Sequence, residues 1–297
     1  MRQKPIAGIG IAAAILVFST VLLISALVLK NVGLWPMSKW ISKAAKERLE
    51  PRITSENTRS GDSARSGKKS EGRPEKDALA DRESEYRKKL NAIAHKHLRS
   101  EVERGDAGSK IVALTFDAGA ASDSTPQILD VLRKRNAKVT FFLTGKWVEQ
   151  NPKLAKRIAE EGHELGNHTY SHPKLTSMSE AEVLEELLKA EKIIKQATGE
   201  DPRPFFRAPF GARDQRILDI VAKRGYFSVY WTADSFDWKE GIADNEVRDR
   251  VFSVISPGAI ILSHAGSSVE ARVLPSVLDE IEKRGYKPGK LSDVLRR

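Results

Sequence analysis

KIVALTFDAG, residues 110–119, is the stretch that decides the fold. It is mostly apolar until Asp117, as expected of a strand that is buried on both faces and ends at a polar edge. Similar runs follow as KVTFFLTG, GYFSVYWTAD and GAIILSHAG. Amphipathic segments with helical spacing accompany them, at 125–135, 152–161, 180–197, 213–224 and 273–284. Repeated strand–helix units predict a parallel sheet that is closed, or nearly closed, into a barrel.

Three glycines support this division of the chain. Gly162, Gly225 and Gly285 each follow a helical segment and precede the next expected strand. Glycine is the residue that most readily takes the left-handed conformation that ends a helix. We therefore expect these three positions to be helix caps.

Composition limits the chemistry that is available. The chain has 297 residues, of which 40% are hydrophobic, so it can form one large domain or two smaller ones. It has no cysteine, which excludes disulfides and thiolate metal ligands. A bound metal would therefore be held by His, Asp, Glu or backbone oxygens.

The N-terminus predicts a membrane anchor. Residues 6–29 are apolar and uncharged, about the ~20 residues that a helix needs to cross a bilayer. A cleaved signal peptide is the alternative, but the run is longer than the roughly 7–15 residues of such a segment and has no clear A-x-A site. The basic residues after the span favour a cytoplasmic C-terminal side by the positive-inside rule. A short tail and a large C-terminal domain favour the opposite, and we expect a single-pass membrane protein with its domain extracytoplasmic.

A polar linker is expected between the anchor, residues 1–30, and the domain, residues 110–297. Residues 51–75 have almost no apolar side chains, too few to offset the entropy cost of folding, so they predict a flexible tether. Residues 77–103 carry a weak apolar stripe among many charges, which indicates a solvated helix or a short stalk. The basic excess of this region is compatible with contact to anionic lipid or an acidic wall polymer, but a tether that is merely solubilising is the preferred interpretation. Nucleic acid is not an expected partner beside a membrane anchor.

Polar residues with catalytic chemistry lie at or just after the apolar runs. His168 and His172 form a His-x-x-x-His turn that offers two imidazoles to a divalent metal, and Asp117 can ligate or act as a base. The alternative is that Asp117 caps a strand and that the histidines are ordinary loop residues. Because barrel active sites gather at the carboxyl ends of strands, we predict a metal-assisted hydrolase.

Five segments together resemble a known family. In chain order they are TFDAG (115–119), HTYSHP (168–173), RAPFG (207–211), DSFDW (234–238) and LSHAG (262–266). They resemble the ordered motifs of the polysaccharide deacetylase family, also called the NodB-homology domain or carbohydrate esterase family 4, over roughly residues 110–295. The resemblance implies an α/β fold, a distorted (β/α) barrel, and removal of N-acetyl, sometimes O-acetyl, groups from sugar polymers with one divalent metal, commonly zinc.

The resemblance also implies catalytic roles. His168 and His172 would hold the metal, which activates water. Asp117 resembles the general base and Arg207 the cation that keeps it ionised. His264 resembles the general acid that protonates the leaving amine, and Asp237 would orient it.

Three further residues, Trp238, Phe210 and Leu262, match positions that in the family form the sugar-binding wall and the small pocket for the acetyl methyl group. The backbone N–H of Phe210 is a candidate oxyanion donor. Aromatic side chains this close to strands are also common in cores, so a structural role is the alternative.

One position departs from the family. The usual TFDDG has a second carboxylate as third metal ligand, and here that residue is Ala118. Zinc sites with a catalytic water normally have three protein ligands. Three outcomes follow: Asp123 substitutes as the ligand, Asp117 ligates directly, or the domain binds glycan without hydrolysing it. We expect a working N-acetyl hydrolase acting on peptidoglycan or a chitin-like N-acetylglucosamine polymer, with a catalytically silent glycan-binding or envelope-assembly protein as the alternative.

Overall fold

The run at 111–118 forms the central strand of a parallel sheet. The computed structural model describes residues 75–295, and within them every strand pairing of the sheet is parallel. The strands are β1 (Glu101–Val102), β2 (Ile111–Ala118), β3 (Thr140–Leu143), β4 (Glu164–Asn167), β5 (Phe205–Phe206), β6 (Phe227–Val229), β7 (Ala233–Asp234), β8 (Ile260–His264) and β9 (Lys287–Gly289). Their order is β1-β6-β5-β4-β3-β2-β8-β7, with β9 paired to β2.

Helices follow most of the strands and cover the sheet. They are α1 (Glu75–His97), α2 (Thr125–Lys134), α3 (Gly145–Gln150), α4 (Pro152–Glu160), α5 (Glu180–Thr198), α6 (Gln215–Ala222), α7 (Asp244–Val254), α8 (Ser268–Lys283) and α9 (Leu291–Val294). Short 3₁₀ turns occupy Leu175–Ser177 and Pro209–Gly211. The sheet curls into a distorted barrel that stays open between β1 and β7, so the barrel architecture expected from the sequence is confirmed.

Alternation along β2 decides which side chains reach the barrel interior. Val112, Leu114 and Phe116 belong to the large hydrophobic cluster that includes helix residues. Ala113 belongs instead to a second cluster, in which residues of several strands pack with Leu90 and Ile93 of α1. Because successive strand residues point to opposite faces, Asp117 follows Ala113 on the inner side and lies at the carboxyl end of the strand.

The glycine caps are confirmed. Gly162, Gly225 and Gly285 all have a φ of 79°, in the left-handed region. The expected helix at 273–284 begins earlier, at Ser268, because Ser267 caps it by accepting a hydrogen bond from the Glu270 N–H at 3.1 Å. The helix therefore starts five residues nearer to the site than the apolar spacing indicated.

The compact unit begins earlier than the boundary expected at residue 110. Helix α1 belongs to it, because Leu90 and Ile93 are buried against strand residues and the Tyr86 hydroxyl donates to Glu164 Oε1 at 2.8 Å. Strand β1 also joins the sheet by pairing with β6. The expected anchor at 1–30 and the tether at 51–75 lie outside the described residues, apart from the first residue of α1. Among residues 75–295, no helix is long and apolar enough to span a membrane.

Candidate active site

The carboxyl end of the barrel holds a buried ion pair between Arg207 and Asp117. The Arg207 Nη1 donates to Asp117 Oδ1 at 2.8 Å and to the Thr115 hydroxyl at 3.0 Å. Its other nitrogens donate to the carbonyl oxygens of Val229 and Tyr230, so the guanidinium has a fixed orientation. Burial alone would raise the pKa of Asp117, but the charge and hydrogen bond of Arg207, together with the nearby imidazoles of His168 and His264, leave that pKa below its ordinary value. Asp117 is therefore ionised at neutral pH.

The two predicted imidazoles lie together beside this carboxylate. The ring centroids of His168 and His172 are 4.8 Å apart, and His168 Nε2 is 3.4 Å from Asp117 Oδ2. Burial lowers the pKa of His168, although Asp117 opposes the shift. Burial and the neighbouring His168 lower the pKa of His172 to about 4. Both rings are thus neutral at pH 7 and each offers a lone pair.

A second dyad pairs His264, at the end of β8, with the buried Asp237 in the loop before α7. The ring Nδ1 of His264 is 2.7 Å from Asp237 Oδ1, and the backbone N–H of His264 donates to Asp237 Oδ2 at 2.8 Å. Burial would lower the pKa of His264, but its hydrogen bond to Asp237 and the charge of Asp237 raise it above the ordinary value. The carboxylate also fixes Nδ1 as the protonated nitrogen, which leaves Nε2 directed away from the dyad.

Two cavities open onto these groups. A cavity of about 440 Å³ is lined by Phe210, Trp238 and Leu262 as well as by Asp117 and His264. The second, of about 470 Å³, also reaches Asp117, His168, His172, Trp238 and His264, and extends along Gly119–Ala121 and Lys239–Gly241. Since Asp117, His168, His172 and His264 line both, the cavities meet at the predicted catalytic and metal-binding residues.

The three predicted sugar-binding residues differ in exposure. Phe210 is 71% exposed and Trp238 59%, whereas Leu262 is buried. Phe210 has a φ of 59°, and its ring lies edge-on to His172 with centroids 4.5 Å apart. Trp238 is held by a hydrogen bond from its Nε1 to Asp234 Oδ2 at 3.1 Å. Exposed aromatic rings at a cavity mouth suit the apolar faces of sugars better than a core role.

The sequence did not single out every residue of the site. Asp234, Trp231 and Ala208 also line the first cavity. Asp234 is the first residue of DSFDW, so its place in that motif was an available signal. Asp123, the expected substitute ligand, is exposed and lines neither cavity. Its role as a ligand stays a prediction that needs a movement of the loop.

Comparisons with known proteins show the family to which the chain belongs. The sequence profile of the Polysaccharide deacetylase family matches residues 104–229. The peptidoglycan-N-acetylmuramic acid deacetylase PdaA of Bacillus subtilis is 32% identical over 210 residues, 70% of this chain and 79% of that relative. The chain belongs to the polysaccharide deacetylase family, carbohydrate esterase family 4. The structure of PdaA matches with a TM-score of 0.63 and 32% identity, over 69% of this chain and 88% of PdaA.

The similar proteins of this family include both a deacetylase and a pseudoenzyme. A peptidoglycan-N-acetylglucosamine deacetylase of Bacillus cereus is 38% identical over 178 residues, 59% of this chain. The chain spans 64% of that relative's length. A pseudoenzyme of carbohydrate esterase family 4 from Bacillus anthracis matches with a TM-score of 0.63 and 32% identity, over 66% of this chain and 69% of its own. A mutant of that pseudoenzyme with restored enzymatic activity matches with the same TM-score and 33% identity, over 66% of this chain and 71% of the mutant.

The imidazole pair fits the divalent metal that is typical of this family. His168 Nδ1 lies 2.8 Å from the Arg207 carbonyl, which can only accept, so Nδ1 carries the hydrogen and Nε2 keeps its lone pair. That lone pair faces an Asp117 oxygen, which also carries lone pairs. The two groups repel each other, and a cation bound between them would remove the repulsion. The set is one carboxylate short: within residues 75–295, no three His, Asp or Glu side chains are grouped to hold a metal. Ala118 stands where the family usually has the third ligand.

Proposed function

We propose that this protein is a hydrolase that removes N-acetyl groups from a cell-envelope polysaccharide, either peptidoglycan or a chitin-like N-acetylglucosamine polymer. The observation that carries the proposal is the pairing of two dyads at one cavity. Asp117 is held by Arg207, and His264 is held by Asp237. One dyad presents an ionised carboxylate and the other an imidazole with a raised pKa, which are the states that a general base and a general acid need.

Each residue then has a defined task in amide hydrolysis. Asp117 Oδ2 accepts a proton from the attacking water, while Arg207 keeps the carboxylate ionised and oriented. His264 Nε2 donates a proton to the departing sugar amine, and Asp237 stabilises the imidazolium. A zinc ion held by His168 and His172 would polarise the acetyl carbonyl. Leu262, which lines the first cavity, would shield the acetyl methyl group from water.

Ala118 favours one second candidate, a silent glycan-binding or envelope-assembly protein. Two imidazoles hold zinc less well than three protein ligands, and the similar pseudoenzyme shows that this family includes inactive members. The intact acid–base pairs favour hydrolysis, because binding alone does not require a buried Arg207–Asp117 pair or a buried Asp237.

Acetate release separates the two candidates. The full-length protein, supplied with zinc, is incubated with an N-acetylglucosamine oligomer and separately with peptidoglycan. Acetate and new free amines are then measured, with Asp117→Asn as the negative control. We expect release by the natural protein and none by the variant. Binding of the oligomer without acetate release would establish the silent alternative.

The location at the cell membrane is part of this proposal. It rests on the apolar residues 6–29, which lie outside the described residues. An extracytoplasmic domain would be cleaved by protease added to intact spheroplasts. Protection of the domain until the membrane is permeabilised would contradict that orientation.

His264→Ala should lower turnover by about 10²–10⁴-fold, the usual contribution of general acid catalysis. The natural enzyme should lose activity as pH rises through the raised pKa of His264, and the variant should lack this alkaline limb. Zinc affinity, measured by competition with a chromophoric chelator, should stay within about twofold because His264 is not assigned to the metal. Loss of zinc binding would instead make His264 a ligand.

A further inference from the structure

The turn that carries the two imidazoles has an unfavourable backbone. Thr169 and His172 have φ values of 68° and 63°, in the left-handed region that non-glycine residues rarely adopt. A turn with two such residues persists when surrounding contacts hold it. The conformation of His172 decides where its ring lies relative to His168.

Part of the support comes from neighbouring strand and loop residues. The Thr169 N–H donates to Asn167 Oδ1 at 2.9 Å, and the His172 N–H donates to the Thr169 hydroxyl at 3.2 Å. The carbonyls of Thr169 and Tyr170 accept from the N–H groups of Gly145 and Lys146. These bonds leave the N–H groups of Tyr170 and Ser171, at the tip of the turn, to be satisfied from elsewhere.

Glu186 on α5 accepts hydrogen bonds from both N–H groups at the tip of the turn. Its Oε2 accepts from the N–H of Tyr170 at 2.9 Å and from the N–H of Ser171 at 2.8 Å. Its Oε1 accepts from the Ser171 hydroxyl at 2.7 Å. One carboxylate thus forms three hydrogen bonds to two successive residues between His168 and His172.

The packing of α5 does not depend on this side chain. The helix buries Val183, Leu187, Ala190 and Ile194. It is also capped by Ser179, whose side chain accepts from the Glu182 N–H. Glu186 is only partly buried and points its carboxylate at the turn. Its contacts therefore serve the turn rather than the docking of the helix.

We propose that Glu186 is a positioning residue that preorganises His168 and His172 for a divalent cation. The inference deepens the proposed function, since it concerns the same site. Glu186 acts through hydrogen-bond geometry, because its carboxylate is hydrogen-bonded to the backbone and hydroxyl of the turn and not to the imidazoles. A residue that orients metal ligands in this way typically changes metal affinity by 10–100-fold when it is removed.

Two substitutions separate geometry from charge. Glu186→Ala removes all three hydrogen bonds. Glu186→Gln keeps them, because the amide oxygen can accept both N–H groups and the amide nitrogen can donate to the Ser171 hydroxyl. Glu185→Ala is the matched control, since Glu185 is the preceding residue on the same helix and is exposed.

Zinc and cobalt binding are measured on the full-length proteins without substrate. We expect zinc affinity to fall about 10–100-fold in Glu186→Ala, to change less than about threefold in Glu186→Gln, and to be unchanged in Glu185→Ala. The visible spectrum of bound Co²⁺ should change in Glu186→Ala and match the natural protein in Glu186→Gln. Ser171→Ala, which removes one of the three bonds, should give an intermediate loss.

Each contrary outcome overturns the proposal. Unchanged affinity in a folded Glu186→Ala protein would show that the turn holds its shape unaided. An equal loss in Glu186→Gln would show that charge, not geometry, is responsible. If Glu186→Ala does not fold, unchanged zinc affinity in Ser171→Ala overturns the proposal that these hydrogen bonds position the imidazoles. Weaker zinc binding in Glu186→Ala alongside no acetate release by the natural protein would reject the proposed hydrolase function and leave this inference standing.

Discussion

Asp117 and Ala118 are neighbours in β2 that face opposite sides of the strand. Asp117 meets Arg207 inside the barrel, whereas Ala118 is buried in the same hydrophobic cluster as Phe116 and Leu143. The sequence alone predicted that Asp117 lies at the end of a buried strand, because an apolar run ending in a carboxylate is a local pattern. It could not show what surrounds Ala118, since that depends on packing between β2, β3 and the helices.

The substitution Ala118→Asp tests the missing ligand. Without metal, the new carboxylate lies in apolar surroundings and should lower the free energy of unfolding. With zinc, the longer side chain should turn at the end of β2 towards His172, which lies beside Gly119, complete a three-ligand set and tighten binding. The zinc-induced rise in unfolding temperature should therefore be larger than in the natural protein, since tighter binding adds more stability. Ala118→Asn, similar in size but uncharged, is the control, and an equal zinc effect in both variants would contradict the expectation.

Asp123 enters the same experiment as a second substitution. If it moves in as a ligand, Asp123→Ala weakens zinc binding in the natural protein and has little effect beside Ala118→Asp, because the two carboxylates share one coordination position. If Asp123→Ala changes zinc affinity in neither background, the substitute-ligand prediction is wrong. Its exposed position, outside both cavities, makes this the outcome that the described geometry favours.

At the scale of elements, the long and periodic ones were predictable and the short ones were not. Helix α5 was expected at 180–197 and spans Glu180–Thr198, because its apolar spacing is repeated over several turns. Strands β1, β5 and β7 have two residues each and exist only because their neighbours pair with them. Helix α1 was expected as a solvated helix or stalk, since two buried side chains among many charges give a weak pattern.

Ile93→Ala tests whether α1 is an integral part of the folded unit. Ile93 is fully buried against strand residues, so the substitution should lower the free energy of unfolding by about 2–5 kcal/mol. Leu98→Ala, at a residue that is 38% exposed just beyond the helix, should cost less than about 1 kcal/mol. Urea unfolding of both variants measures the difference. Equal, small effects would mean that α1 is a separate stalk.

At the scale of the whole molecule, one buried carboxyl links stability to pH. Glu270 in α8 is 2% exposed, and within the described residues its Oε2 has no hydrogen-bond partner. Burial, with the charge of Asp237, raises its pKa to about 8. The folded protein therefore holds this proton up to a higher pH than the unfolded chain, in which the carboxyl has its ordinary pKa of about 4.5. Stability from this group is lost as pH rises from the unfolded value to the folded one.

Glu270→Gln should remove that dependence. Relative to the natural protein, the variant should gain stability between about pH 4.5 and pH 8, with a slope of up to about 1.4 kcal/mol per pH unit, and the difference should then level off. Glu185→Gln, at an exposed position, should show no such trend. Urea unfolding across this pH range measures both. A difference that is constant with pH would mean that Glu270 is ionised in the folded state.

The closed amino end of the barrel has a consequence for the product. Helix α1 contacts residues at or before the first residue of several strands, including Glu164, Phe205 and Phe227, and aromatic rings fill the interior above them. Under the proposed function, acetate formed beside Leu262 would have no exit through this end of the barrel. It would leave through the groove that admits the polymer, by whichever of the two cavities the sugar chain leaves free. Under the proposed function, how tightly the chain fills that groove governs how fast acetate escapes and the next turnover begins.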